Sequence, residues 1–178
     1  MTPPLPDAVL LDRDGTITVR AREGEYVTCP DDMRLLPGAA EAIRMLNAAG
    51  VPVAVVTNQR GIALGRMTEE DLVRVHGRMR ESLREAGARL DGIFHCPHEI
   101  GACACRKPGT LLLERAKRHL GLSTLKGSVM IGDSLSDVLA GRAAGARTVL
   151  LSNGGAPADA DECAGSLLIA VRRTLERA

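Results

Sequence analysis

Short apolar runs alternate with longer stretches of helical periodicity along this chain. The apolar runs are bounded by turn-forming residues and predict strands at residues 9–11, 51–56, 92–95, 128–131 and 147–151. Apolar residues spaced three to four apart predict helices at about 38–49, 68–86, 110–120 and 135–144, with a closing helix from about 161. Strands that alternate with helices predict an α/β fold with a parallel sheet.

The expected architecture is a Rossmann-like three-layer sandwich, in which right-handed crossovers place helices on both faces of the sheet. The 178 residues suffice for one domain, and no internal repeat or low-complexity linker divides them, so we expect a single domain over residues 1–178. Residues 17–37 have no clear period and contain Gly24 and Pro30. We expect this segment to form a flap, at about 17–30, over the end of the first strand.

The composition argues against several classes of partner. The formal net charge is +1, and the aromatic residues are Tyr26 and Phe94, so neither a phosphate-attracting field nor base stacking favours nucleic acid. No run approaches the roughly 18 apolar residues of a membrane span, and residues 1–7 carry three prolines and no basic signal region. We therefore expect a cytoplasmic protein that acts on a small molecule, as a monomer.

Carboxylates follow two of the predicted strands. Asp12 and Asp14 come directly after the first strand, and Asp133 and Asp137 follow the strand at 128–131. If the extended geometry of the first strand persists, Asp12 and Asp14 face the same way. Ligands of parallel sheets lie beyond the carboxyl ends of the strands, so we expect these acids to meet there. A turn at Asp14 and a helix cap at Asp133 are the structural alternatives.

Converging carboxylates repel one another unless a cation is bound among them. Oxygen-rich and partly hydrated sites suit Mg²⁺, which we therefore expect at this edge of the sheet. Thr57 and Asn58 end the second strand and offer a hydroxyl and an amide, and Lys107 adds a compact positive charge. Such groups around a metal suit a phosphoryl group. A solvated surface position is the alternative for Lys107 considered alone.

Four segments resemble the ordered motifs of the haloacid dehalogenase (HAD) superfamily of phosphatases. They are Asp12-x-Asp14-Gly15-Thr16, Thr57-Asn58, Lys107-Pro108 and Gly132-Asp133-x-x-x-Asp137, and they lie within residues 9–137. The resemblance implies a Mg²⁺-dependent phosphatase with a HAD-like fold. About forty residues separate the first motif from the second and about fifty separate the second from the third, which leaves no room for a large cap domain. A capless HAD-like fold is therefore expected.

The resemblance implies a chemical role for each residue of the site. Asp12 would attack phosphorus and form an aspartyl-phosphate, while Asp14 would protonate the leaving alcohol and later deprotonate the hydrolytic water. Thr57 and Asn58 would hold phosphoryl oxygens. Lys107 would neutralise charge on the nucleophile and on the phosphate.

The implied metal site uses the same acids. Asp133 would bind Mg²⁺ directly, joined by Asp12 and by the backbone carbonyl of Asp14. Asp137 would support these ligands without binding the ion itself. Asp12 would therefore serve both as a metal ligand and as the nucleophile.

A second metal site is indicated by Cys96, His98, Cys103 and Cys105. Three thiolates and one imidazole complete a tetrahedral Zn²⁺ site and leave no open position for catalysis, so a structural role is expected. His95 is an alternative to His98, and reduced cysteines without a metal are a further alternative. A disulfide between Cys103 and Cys105 would be strained.

This quartet runs into Arg106-Lys107-Pro108, so that a zinc loop is expected at about 95–109. It resembles the branch of the superfamily that contains heptose 1,7-bisphosphate phosphatases and histidinol-phosphate phosphatases, as do Tyr26-Val27-x-x-Pro30 and Thr57-Asn58-Gln59-x-Gly61. The resemblance implies that zinc braces the loop that presents Arg106 and Lys107 to the substrate. The implied substrate is D-glycero-D-manno-heptose 1,7-bisphosphate, with histidinol phosphate as the alternative.

Two positions depart from the family pattern. Thr18 stands where the family usually has Asn, and Arg60 stands where it usually has Ser. Arg60 is either a solvated loop residue or a contact for a second phosphate or a carboxylate. Two interpretations outside this enzyme class are a phosphotransferase or mutase and a non-catalytic, zinc-braced binding module. The intact acids and Lys107 argue against the binding module.

Overall fold

The computed structural model describes residues 4–154 and 159–177 and contains a six-stranded parallel sheet. The strands are β1 Val9–Leu11, β2 Val53–Asn58, β3 Gly92–Cys96, β4 Val129–Gly132, β5 Arg147–Leu151 and β6 Glu162–Ala164. The helices are α1 Ala39–Ala48, α2 Glu69–Glu85, α3 Leu111–His119, α4 Leu135–Ala143 and α5 Leu167–Glu176, with a short 3-10 helix at Pro30–Asp32. The strand order is β3-β2-β1-β4-β5-β6, which confirms the predicted α/β architecture.

The direction in which the chain adds strands reverses at β1. From β1 the chain continues to β2 and β3 on one side, and it then returns to β4, β5 and β6 on the other. In open α/β sheets a crevice forms at such a point, outside the carboxyl ends of the strands. The ends of β1, β2 and β4 therefore bound the crevice, and these ends carry the predicted acids together with Thr57 and Asn58.

Each face of the sheet packs against its own layer of helices. Within β1, Val9 and Leu11 belong to the core under α1, α2 and α5, whereas Leu10 belongs to the core under α3 and α4. Successive side chains of a strand point to opposite faces, so three fully buried residues supply both cores. A strand buried on both faces is a continuous apolar run, as β1 is. The predicted three-layer sandwich is confirmed.

The C-terminal part of the chain differs from the prediction. We predicted a closing helix from about residue 161, whereas the chain first adds β6, and α5 begins at Leu167. β6 is parallel to β5, with Leu150 opposite Cys163. Three residues are too few to show a strand period, and β6 is extended because β5 offers backbone hydrogen bonds at its edge. That part of the prediction was wrong.

Capping boxes define where two helices begin. Thr68 accepts a hydrogen bond from the backbone N–H of Asp71, and the Asp71 carboxylate accepts one from the backbone N–H of Thr68, as predicted for α2. Ser134 and Asp137 form the same motif at α4. Each box satisfies backbone donors that a helix start leaves unpaired. The second box also holds the Asp137 side chain at the edge of the crevice.

The longest of the described helices, α2, is amphipathic. α2 has 17 residues and buries Leu72, Val75, Met79 and Leu83 on one face. Among the residues that the structure describes, no helix has both the length and the apolar character that a membrane crossing needs.

Candidate active site

A cavity of about 320 Å³ opens at the carboxyl ends of β1, β2 and β4. Asp12 and Lys107 line it, and both are largely buried. The segments at about 17–30 and 95–109, the loop after β2 and the start of α4 contribute the rest of the wall. Among the lining residues are Arg20, Tyr26, Gln59, Arg60, Arg106 and Ser136. The predicted nucleophile and the predicted cation therefore share one cavity.

Lys107 is the charge centre of this cavity. Its Nζ donates to Asp12 Oδ1 at 2.8 Å, to Asp137 Oδ1 at 2.5 Å and to the backbone oxygen of Val56 at 2.7 Å. Burial opposes the charged form, but the two carboxylates outweigh it and raise the pKa of Lys107. The ammonium group therefore stays charged and donates to three acceptors. It is not the solvated surface lysine of the alternative interpretation.

Asp12, Asp133 and Asp137 form a cluster in which one oxygen from each lies within 4.8 Å of the others. Burial is the largest cause that raises the pKa of Asp12, to about 7, and burial also raises the pKa of Asp133. The carboxylate of Asp137 raises both further. Acids that resist ionising together are stabilised as anions by a hard cation, and carboxylate oxygens suit Mg²⁺. These residues therefore fit a divalent cation.

The backbone after Asp14 allows a close approach to Asp133. Gly15 has a φ of +83°, and a Cβ at this position would lie 1.9 Å from Asp133 Oδ2, so glycine is required for both the turn and the approach. Arg20 from the flap donates to Asp133 Oδ1 at 2.7 Å and to the backbone oxygen of Asp14 at 3.5 Å. A cationic side chain thus lies between two of the predicted metal ligands, which supports a preference for positive charge there.

Asp14 has partners different from those of Asp12. β1 ends at Leu11, so the extended geometry on which a common direction for the two acids depended does not persist. Arg13 Nε donates to both carboxylate oxygens of Asp14 at 3.1 Å, and Gln59 Nε2 donates to Oδ2 at 2.9 Å. The Asp14 side chain is 23% exposed and lines the cavity. The two acids therefore belong to separate hydrogen-bond networks that meet at one cavity.

Arg13, Gln59 and His76 belong to this network but were not among the predicted site residues. Arg13 is 1% exposed, and its Nη1 and Nη2 lie 3.1 Å from His76 Nε2 and from Gln59 Oε1. Burial, followed by the charge of Arg13, lowers the pKa of His76 to about 3, so the imidazole is neutral. The sequence held one indication that Arg13 belongs to the site, because Arg13 directly follows a buried strand and stands between two acids. His76 had no such signal.

Thr57 and Asn58 end β2 beside Lys107. Thr57 is buried, and its Oγ1 accepts a hydrogen bond from Gln59 Nε2 at 2.9 Å. The Asn58 side-chain amide forms two hydrogen bonds with the main chain of Lys107. Its Oδ1 accepts from the Lys107 N–H at 3.0 Å, and its Nδ2 donates to the Lys107 carbonyl at 3.1 Å. The Asn58 side chain, which we expected on a phosphoryl oxygen, therefore anchors Lys107 to β2.

The structure also brings the predicted zinc ligands together. Cys96 Sγ lies 3.5 Å from Cys103 Sγ and 3.2 Å from Cys105 Sγ, and His98 Nδ1 lies 3.2 Å from Cys105 Sγ. The sulfurs of Cys103 and Cys105 are 3.3 Å apart, well beyond a disulfide bond of about 2.05 Å. Burial is the largest cause that raises the pKa of the Cys96 thiol to about 12, so a cation is needed to hold a thiolate there. The four donors fit a closed tetrahedral site.

His95 lies outside this cluster of three cysteines and one histidine. Its Nε2 is 2.8 Å from Glu69 Oε2, and its ring meets the ring of His76 edge to face, with 6.2 Å between the centroids. His98 supplies the nitrogen of the cluster. The geometry therefore favours the ligand set with His98 over the one with His95.

The remaining predicted residues line the cavity or lie at the turn after the first motif. Arg106 lines the cavity, and its Nη1 is buried without a hydrogen-bond partner among the described residues. Arg60 also lines it and donates through Nε to Glu99 Oε1 of the zinc loop at 2.5 Å. Thr18 is buried and donates to the backbone oxygen of Arg13 at 3.3 Å. Arg60 is therefore tied to the zinc loop, and Thr18 stabilises the turn after the first motif.

Comparison with known proteins agrees with this geometry. The HAD-hydrolase-like family model matches residues 104–170. The D-glycero-β-D-manno-heptose-1,7-bisphosphate 7-phosphatase of Rhodopseudomonas palustris is 42% identical over an alignment of 147 residues, and the match covers 78% of this chain and 79% of that protein. The protein of the same name from Escherichia coli is 38% identical over an alignment of 160 residues, and the match covers 84% of this chain and 81% of that protein.

A solved structure is similar over nearly the whole chain. The D,D-heptose 1,7-bisphosphate phosphatase from B. bronchiseptica, complexed with magnesium and phosphate, has a TM-score of 0.87 and 32% identity and covers 97% of this chain and 99% of that chain. The fold and the site thus define a phosphatase of the HAD-like hydrolases. Within this class, the chain belongs to the family of the D-glycero-β-D-manno-heptose-1,7-bisphosphate 7-phosphatases.

Proposed function

We propose that this chain hydrolyses the 7-phosphate of D-glycero-β-D-manno-heptose 1,7-bisphosphate in a Mg²⁺-dependent reaction. The observation that carries the proposal is the buried Lys107 ammonium on Asp12 and Asp137, in a cavity next to Asp133. The names of relatives at 42% and 38% identity supply the substrate. A cavity of about 320 Å³ has the size of a small-ligand site.

The proposed reaction has two steps at Asp12. Asp12 Oδ2 attacks phosphorus in line, the bond from phosphorus to the sugar oxygen breaks, and protonated Asp14 gives its proton to the departing alcohol. Asp14 then takes a proton from water as that water attacks the aspartyl-phosphate, which releases inorganic phosphate and the free carboxylate of Asp12. Lys107, bound to Asp12 Oδ1, offsets the negative charge of nucleophile and phosphoryl group in both steps.

The remaining contacts to substrate are assigned to the end of β2 and to the wall of the cavity. We assign the phosphoryl oxygens to Thr57 and to the main chain at Asn58, since the Asn58 amide is used on Lys107. Arg106, whose Nη1 has no hydrogen-bond partner in the part of the chain that the structure describes, and Arg60 are assigned to the second phosphate. Lys107 and Mg²⁺ are assigned to the phosphoryl group under attack, so the second phosphate needs cations of its own, and arginine side chains suit phosphate oxygens.

The metal ligands in this proposal are Asp12, Asp133 and the backbone oxygen of Asp14. Asp137 supports them, because Lys107 and the capping box of α4 hold both of its oxygens. When bound, Mg²⁺ supplies positive charge beside the phosphoryl group under attack. The donor set and the raised pKa values of Asp12 and Asp133 support this assignment.

Substrate preference tests the proposal. Release of inorganic phosphate is measured as kcat/KM for both anomers of the heptose bisphosphate, for histidinol phosphate and for p-nitrophenyl phosphate, with and without Mg²⁺. We expect the β-anomer to give the highest value and every turnover to require the metal. A preference for histidinol phosphate would favour that alternative, transfer without phosphate release would favour a phosphotransferase, and no turnover would favour a binding module.

Removal of zinc is expected to lower activity indirectly. The proposed ligands Cys96, His98, Cys103 and Cys105 brace the loop that continues into Arg106 and Lys107. Stripping with a chelator, followed by saturating Mg²⁺, should lower Tm by several degrees and kcat/KM by about tenfold to a hundredfold, since small displacements of positioned groups have effects of that order. Metal analysis should find one zinc per chain before treatment.

Cys105→Ser should reproduce the effect of the chelator, and Cys29→Ser is the matched control. Cys29 lies outside the zinc cluster, beside Asp32, so its substitution should leave zinc content and rate unchanged. If the stripped protein kept both its Tm and its rate, the bracing role would be excluded.

Arg60→Ala is expected to raise KM for the bisphosphate by about tenfold or more, which is the effect of losing one charge-assisted hydrogen bond. KM for a monophosphate should change by less than about twofold, because Arg60 then has no second phosphate to bind. Arg66→Ala removes an exposed arginine of the same loop and serves as control. Equal changes for both substrates would indicate that Arg60 only holds the zinc loop through Glu99.

The proposal also covers the organisation of the enzyme. One domain over residues 1–178 would carry the whole reaction, with the flap at about 17–30 and the zinc loop at about 95–109 as its covers. A monomer suffices, because one chain supplies all the residues assigned to the site. The reduced thiols of the zinc cluster suit the cytoplasm, where cysteines are kept reduced.

A further inference from the structure

Arg13 is a charged residue inside the protein that the proposed reaction leaves without a role. It is 1% exposed and borders the active-site cavity, so only a small part of it is open to solvent or substrate. A buried guanidinium is costly unless its donors are satisfied by acceptors of the protein. Here Nε and Nη2 reach Asp14, Nη2 also reaches Gln59, and Nη1 reaches His76. These buried contacts converge on the proposed acid.

The contacts restrain the carboxyl group of Asp14 at both oxygens. Arg13 Nε lies 3.1 Å from each oxygen, and Nη2 lies 2.9 Å from Oδ1. Gln59 Nε2 donates to Oδ2 at 2.9 Å, and Gln59 Oε1 accepts from Arg13 Nη2 at 3.1 Å. The three side chains close a ring of hydrogen bonds. Rotation of the Asp14 carboxyl would therefore break several charge-assisted bonds at once.

His76 fixes the other end of the Arg13 side chain. Arginine only donates, so the hydrogen bond at 3.1 Å requires that His76 Nε2 accepts it. A neutral ring can do so, and the pKa of His76 is lowered to about 3 by burial and by Arg13. His76 lies on α2, among residues that pack in the core under α1 and α2. The ring of hydrogen bonds is thereby anchored to the helical layer.

We propose that Arg13 is a positioning residue which, with Gln59 and His76, orients the carboxyl group of Asp14 toward the departing alcohol. This inference rests on the role of Asp14 in the proposed function. A general acid contributes about 10²- to 10⁴-fold when it lies within hydrogen-bond reach of the leaving oxygen. A carboxyl that rotates away loses part of that factor, even though its chemistry is unchanged.

Leaving groups that differ in their need for a proton provide the test. A sugar alkoxide needs protonation as it departs, whereas p-nitrophenolate is stable without it. The measured quantity is the ratio of kcat/KM for a sugar phosphate to kcat/KM for p-nitrophenyl phosphate. Because kcat/KM covers the steps up to departure of the leaving group, hydrolysis of the aspartyl-phosphate does not enter. A general loss of folded enzyme lowers both values equally and leaves the ratio unchanged.

Arg13→Lys keeps the charge and removes the forked contact, and it is expected to lower the ratio by about tenfold or more. His76→Leu should lower the ratio in the same direction, and His76→Gln, whose amide oxygen can accept from Arg13, should restore it. His119→Leu is the matched control, because His119 lies outside this network and forms a hydrogen bond with the backbone oxygen of Asp91. If Arg13→Lys does not fold, the two His76 variants decide the question.

Asp14→Asn separates this inference from the proposed function. An unchanged ratio in Asp14→Asn would overturn the acid role of Asp14 and, with it, the positioning role of Arg13. A lowered ratio in Asp14→Asn, together with unchanged ratios in Arg13→Lys and His76→Leu, would overturn the positioning role alone. Lowered ratios in Asp14→Asn and His76→Leu with recovery in His76→Gln would establish it.

Discussion

Asp12→Asn is expected to keep the fold and to lose phosphatase activity by about 10⁴-fold or more, the scale on which removal of a covalent nucleophile acts. The neutral amide oxygen cannot form the aspartyl-phosphate. The fold should survive because Lys107 keeps Asp137 and the backbone oxygen of Val56 as partners. The measurement is kcat/KM for p-nitrophenyl phosphate at saturating Mg²⁺, with Tm as the check on folding.

Asp31→Asn is the matched control for that experiment. Asp31 is exposed on the short 3-10 helix and away from Lys107, so the same chemical change should leave the rate unchanged. Acid quenching of the wild-type reaction should also trap phosphate covalently bound to the chain, and Asp12→Asn should trap none. Retained Mg²⁺-dependent turnover by folded Asp12→Asn would remove Asp12 from the mechanism.

Lys107→Met is expected to affect both stability and rate. It leaves the buried carboxylates of Asp12 and Asp137 without their shared cation, and breaking a buried ion pair on one side costs about 3–5 kcal/mol of unfolding free energy. Loss of the positive charge beside the phosphoryl group should lower kcat by about a hundredfold to a thousandfold. Denaturant unfolding and single-turnover assays measure the two effects separately.

Lys126→Met provides the comparison for Lys107, because Lys126 is exposed and its substitution should be close to neutral in both assays. An unfolding free energy of Lys107→Met within about 1 kcal/mol of the wild type would contradict the ion-pair account, since that is the range of exposed pairs. An unchanged kcat in folded Lys107→Met would contradict its catalytic role.

The amino-acid sequence was sufficient to predict most elements of this fold. A strand that is buried on both faces is a continuous apolar run in the sequence. The runs Val9 to Leu11 and Val53 to Val56 show this pattern. β6 was missed because its residues Glu162 to Ala164 have no apolar pattern of their own. Its extended form depends on hydrogen bonds to β5, which is a property of the folded sheet.

The predicted residues of the site lie close together because the carboxyl ends of parallel strands share one edge of the sheet. That rule needs only the order of strands, so Asp12, Thr57 and Asp133 could be assigned together. The partners of each side chain could not be assigned in the same way. Asn58 was expected on the substrate, yet its amide pairs with the backbone of Lys107, a contact between residues far apart in the chain.

The sequence by itself determined the class of fold, the chemical types at the active site and the three cysteines of the predicted zinc site, because each follows from local runs, spacings and side-chain chemistry. Only the tertiary structure decided between His95 and His98, separated Asp14 from Asp12, and placed Arg13 against His76 on α2. Hydrogen bonds act over about 3 Å, and a pattern along the chain does not specify distances of that scale between remote residues.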